Sequence, residues 1–63
     1  MNIVFINDRT GEEYHSEKTN SVVGVPRVGD VVIPPTKLIT FTVTQVVWNY
    51  AHNQVSVYIM QKN

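Results

Sequence analysis

The stretch Lys37-Leu38-Ile39-Thr40-Phe41-Thr42-Val43-Thr44-Gln45-Val46-Val47-Trp48-Asn49-Tyr50, followed by Ala51-His52-Asn53-Gln54 and Val55-Ser56-Val57-Tyr58-Ile59-Met60, decides the reading of this chain. Ile39, Phe41 and Val43 alternate with Thr40, Thr42 and Thr44, a period of two with β-branched residues on both sides, which predicts a half-buried strand. After Gln45 the large apolar residues, Val46, Trp48 and Tyr50, fall on the opposite parity. A slip of one residue sends every later side chain to the wrong face unless the strand bends. A bulge or a sharp bend is therefore expected near Thr44 and Gln45. Asn tolerates positive φ, so His52-Asn53 is expected to make a tight turn. The return strand then places Val55, Val57 and Ile59 toward a core. Ser56, Tyr58 and Met60 fall on the other face, where the two large side chains read as a contact surface.

Working outward, Pro26-Arg27-Val28-Gly29-Asp30 reads as a turn: Pro26 holds Val25 extended, Gly29 supplies a positive φ, and Asp30 can accept from nearby amides. Val31 to Ile33 follows as a strand and is ended by Pro34-Pro35, neither of which can donate to a ladder. Ile3 to Asn7 is a short run of β-formers with Ile3 and Phe5 on one face and Val4 and Ile6 on the other. That predicts burial on both sides, or an edge covered by a partner. Asn7-Asp8-Arg9-Thr10-Gly11 is a turn signal, and Glu12 to Glu17 its return strand, with Tyr14 as the one large apolar anchor. Lys18 to Ser21 reads as a loop and Gln61-Lys62-Asn63 as a frayed tail. The expected fold is all-β: a single domain over 1–63, forming a small SH3-like open barrel of four to five antiparallel strands with a long, bent central hairpin. A two-layer sheet closed by dimerisation is the alternative.

A chain of 63 residues supports one domain, and such a domain buries only about 60% of the surface its unfolded chain exposes. There is no Cys to form a disulfide. His15 and His52 lack Cys companions and metal-like spacing, so no structural metal and no cofactor are expected. What remains to stabilise so small a domain is a barrel that closes its own edges, or association. Five basic and five acidic residues give zero formal net charge, which argues against a strong electrostatic drive toward nucleic acid or an anionic membrane. No apolar run approaches the roughly 18 residues of a membrane span, and Met1 to Ile6 is too short for a signal segment. The chain reads as complete, untargeted and cytoplasmic.

The order Pro26, Gly29, Asp30 and a hydrophobic strand, then Phe41, Val43, Val46 and Trp48, then a short turn with Val55, Val57 and Ile59, resembles the small SH3-like β-barrel proteins of phage and bacterial hypothetical type. It covers about the last two thirds of the chain and brings no catalytic motif. What the resemblance implies is a barrel with a binding or inhibitory role, as in accessory proteins of mobile elements.

No convergent catalytic grouping is legible. Glu12, Glu13, His15, Ser16 and Glu17 lie close in sequence, but Ser16 and His15 are strand neighbours and face opposite ways, which a nucleophile and its base cannot do. Glu13, His15 and Glu17 share a parity that would at most hold a metal weakly; a solvated strand is the plainer reading. Interfaces favour Trp, Tyr, Met and Arg. The candidate binding residues are accordingly Trp48, Tyr50, Tyr58, Met60, Arg27 and Lys37, against the plain alternative that they only clothe the barrel, with Trp48 also readable as core. The expectation is a non-enzymatic protein-binding module with a protein partner. The alternatives are a weak nucleic-acid binder, in which Arg27 and Lys37 interleave with the aromatics, and a structural homo-oligomer subunit.

Overall fold

The computed structural model describes residues 2–18, 25–34 and 37–61, with the side chains of residues 15–18 also outside the description. Among the described residues five strands follow one another: β1 (Asn2–Asn7), β2 (Glu13–Lys18), β3 (Val31–Val32), β4 (Phe41–Asn49) and β5 (Gln54–Gln61), with one 3-10 turn at Tyr50–His52. They form one sheet in the order β2-β1-β5-β4-β3. The sheet curls into a half-barrel, so the fold is all-β, a small open barrel with the β4–β5 hairpin at its centre.

The curl follows from two rings. Tyr14 on β2 and Phe41 on β4 are three strands apart, about 14 Å in a flat sheet at about 4.8 Å per strand. Their ring centroids nevertheless lie 5.6 Å apart. Inside this curl Ile3, Phe41, Val43, Val55, Val57 and Ile59 form the buried core, with Phe5, Tyr14, Val25, Val32 and Val46 packed against it. The return strand's Val55, Val57 and Ile59 all face inward, as their alternation predicts.

The bulge sits where the phase slips. Val43 pairs with Ile59 and Gln45 with Tyr58, so Thr44 is the unpaired residue between them. Before it Phe41 and Val43 point to the core; after it Val46 does. Asn53 adopts φ 52 and ψ 48, the positive-φ position expected of the turn, but the turn is built as a 3-10 helix over Tyr50–His52, with Asn49 Oδ1 accepting from His52 N. The Pro26–Asp30 turn is also as expected: Gly29 has φ 95, and Asp30 Oδ2 accepts from Arg27 N at 2.8 Å. Gly29 N and Asp30 O bond to Val43 on β4, which fixes this turn to the sheet.

Several expectations change. The strands are not all antiparallel: β1 runs parallel to β5, from Asn2↔Gln54 to Asn7↔Ile59. No local turn joins these strands, since a parallel pair needs a long connection. β4 begins at Phe41 rather than Lys37, because a turn with Lys37 N bonded to Pro34 O diverts the chain and leaves Leu38 and Ile39 outside the ladder. Tyr50 belongs to the 3-10 turn. β3 stops at Val32, and Gln61 is paired strand opposite Phe41 rather than frayed tail. A second bulge lies in β2, where Phe5 pairs with His15 and Ile6 with Glu13, leaving Tyr14 as the extra residue. Lys18, expected to open a loop, is the last residue of β2, paired with Asn2; the rest of that loop, residues 19–21, with Pro35 and residues 62–63 of the tail, falls outside the described residues.

Candidate functional site

The strand register maps the face of the sheet turned away from the core. Directly paired residues of neighbouring strands share a face, so each rung can be followed across the sheet. One rung runs Val31, Thr42, Met60 over β3, β4 and β5. The next runs Gln45, Tyr58, Ile6, Glu13 over β4, β5, β1 and β2. A third carries Val47, Ser56 and Val4, and a fourth Asn49, Gln54 and Asn2. The outer face therefore holds an apolar band of Val31, Met60, Tyr58, Ile6, Val4 and Val47, bounded at one end by three amide side chains. Val4 and Ser56, 6% and 8% exposed, are closed off within the band although neither belongs to the core cluster. Val31, Val47 and Met60 are exposed, and Ile6 and Tyr58 half-buried.

The six residues read from the sequence do not all meet there. Tyr58 and Met60 lie on the outer face. Trp48 does not: it pairs with Val55 and so has core-side parity, at the open end of the curl. Its ring lies nearly parallel to that of Tyr50, at 20° with 6.5 Å between centroids, and Tyr50 is 80% exposed in the turn. These two make a separate aromatic pair at the hairpin tip. Lys37 holds its Nζ 4.7 Å from the ring centroid of Tyr14, a cation–π contact worth about 0.5–1 kcal/mol where solvent reaches it. Arg27 is exposed in the turn before β3.

Val4, Ile6, Val31 and Val47 were missed from the sequence. Val4 and Ile6 carried the signal, since their alternation with Ile3 and Phe5 demanded cover on both faces. Only the parallel pairing with β5 sets them beside Tyr58 and Ser56.

Chemistry that would support catalysis is thin among the described residues. Among the described residues no three His, Cys, Asp or Glu side chains approach one another closely enough to hold a metal. Glu12 and Glu13 are exposed. The side chains of His15, Ser16 and Glu17 lie outside the described residues, but the β2 bulge places Glu13 and His15 opposite adjacent residues of β1, which removes the simple alternation that put them on one face. A shallow depression is lined by Asn7, Arg9, Thr10 and Gln61. Its Asn7 Oδ1 is already engaged by the Arg9 and Thr10 amides.

No helix among the described residues is long and apolar enough to cross a membrane. Comparisons with protein-family models, with curated proteins and with solved structures found no match for this chain.

Proposed function

We propose that this chain is a non-enzymatic protein-binding module that docks its partner on the outer face of the sheet, through Met60, Tyr58, Ile6 and Val47. The observation that carries this reading is the apolar band along three consecutive rungs, with amide side chains at its margin. A sheet with one face open to solvent normally turns polar residues to it, and apolar patches with polar rims mark docking surfaces. Residues 45–61 contain no Asp, Glu, Lys or Arg, so the β4–β5 part of the face offers a partner shape and apolar contact rather than charge, with exposed Glu13 at the β2 margin. The same lack of charge weighs against nucleic acid, whose phosphates require basic side chains. The resemblance to small phage and bacterial barrels adds the role of an accessory or inhibitory protein.

The test compares the unaltered chain with the Tyr58→Ser/Met60→Ser variant in capture from the native host. A protein retained by the first and lost by the second, with the variant still folded by circular dichroism, supports the reading. Equal retention by both refutes it. Salt-sensitive binding to single-stranded DNA that survives the double substitution favours the nucleic-acid alternative.

A further inference from the structure

Among the described residues, the most exposed aliphatic side chains lie along the β3 margin, which shares only Val31 with the outer band. Val28, Val31, Ile33, Leu38 and Ile39 are 64%, 57%, 60%, 98% and 42% exposed. One local chain path carries all five. The Arg27–Asp30 turn is bonded to Val43, β3 follows it, and the Pro34–Lys37 turn returns the chain to β4. We propose that this margin seats a second copy of the chain, forming a two-fold dimer by side-chain packing.

Four observations favour a second copy. Together the five residues expose on the order of 500 Å², the upper range for one apolar patch on a monomer. That is more than half of the roughly 800 Å² each partner contributes to a standard interface, so modest polar surroundings complete a stable seam. The chain has no net charge to oppose self-association. The margin itself carries both signs in the exposed Arg27 and Asp30 of its first turn, so a two-fold axis does not force like charge onto like. Finally, a domain of 63 residues with no Cys gains little stability from its own core.

The seam is made by side chains rather than by extending the ladder. β3 is two residues long and is followed by Pro34, while the opposite edge, β2, carries Glu13, Glu17 and Lys18 in its sequence. Short strands, proline and charge all oppose edge-to-edge pairing.

Sedimentation equilibrium from micromolar to millimolar chain tests this. The expected result is twice the 7.2 kDa chain mass at high concentration. Leu38→Glu and Ile33→Glu, both at exposed sites, should weaken the dimer at least about 30-fold each, the scale of an interface hot spot. Leu38→Ser provides a milder second variant, and circular dichroism verifies folding. Tyr58→Ser/Met60→Ser should leave the dimer intact, which separates this seam from the proposed partner face. A monomer throughout the range overturns the proposal. So does a dimer indifferent to all three margin variants, or one lost only in the Tyr58/Met60 variant.

Discussion

Thr44 Oγ1 donates to Asp8 Oδ2 at 2.9 Å, joining the bulge of β4 to the residue that follows β1. A hydroxyl has one proton, so the Tyr58 carbonyl, 3.3 Å from the same oxygen, is a second acceptor within reach. Asp8 N in turn donates to Ile59 O, continuing the parallel ladder past Asn7. The bend in β4, the end of β1 and the middle of β5 are thereby held at one point of the sheet.

Deleting Thr44 is expected to abolish the fold, because without the extra residue either Phe41 and Val43 or Val46 must turn away from the core. The measurement is amide dispersion in a proton–nitrogen correlation spectrum, which should collapse. Thr44→Val keeps the residue count and loses only the hydroxyl. It should cost about 0.5–1 kcal/mol, since the Asp8 carboxylate is exposed and water replaces the lost donor.

Tyr14 has two separable roles. Its ring packs on Phe41 and its hydroxyl accepts from Asn7 Nδ2. Tyr14→Phe should cost about 0.5–1.5 kcal/mol through the lost hydrogen bond. Tyr14→Ser should cost about 2–4 kcal/mol, because it also opens the edge of the core. Urea unfolding midpoints of the two variants separate the roles; equal losses would show that the ring packing contributes nothing.

Gly29 has open space where a Cβ would stand, yet its φ is +95. Gly29→Ala should therefore lose about 1–2 kcal/mol through backbone strain alone, with no repacking. Asn53, at φ 52, is the complementary case. Asn53→Gly should be close to neutral and Asn53→Val should lose about 1–2 kcal/mol. Thermal melts read both, at about 4–8 °C per kcal/mol for a domain of this size.

Tyr58→Ser/Met60→Ser should lower stability by only about 2 kcal/mol, the ordinary scale of about 1 kcal/mol at each of two sites, because neither side chain belongs to the core cluster. Global unfolding of this variant would make the outer band a structural layer rather than a docking face.

What could be read from the sequence is what local periodicity controls. The slip between Val43 and Val46 located the bulge, Asn53 and Gly29 marked the positive-φ turns, and Val55, Val57 and Ile59 declared the core. Pairing between distant segments leaves no local mark. Nothing near Ile3 to Ile6 reveals that this strand lies parallel to β5, so the outer band could not be assembled from Tyr58 and Met60 alone. Ile39 was misplaced for a related reason: its alternation with Phe41 is regular, and only the turn bonded from Pro34 to Lys37 takes it out of the strand. Trp48 was readable both as a contact residue, by its type, and as core; the register favours the second, setting it on the core side of the sheet beside Val55.

The adjacency of β1 and β5 governs how the molecule comes together in time. The central strand, β5, and its neighbour β1 belong to distant stretches of sequence, so the middle of the sheet cannot assemble until nearly all the described chain is present. Folding dominated by such remote contacts is slow. The β1–β2 and β4–β5 hairpins can form early, but each exposes the apolar surface the other will cover until they zip together.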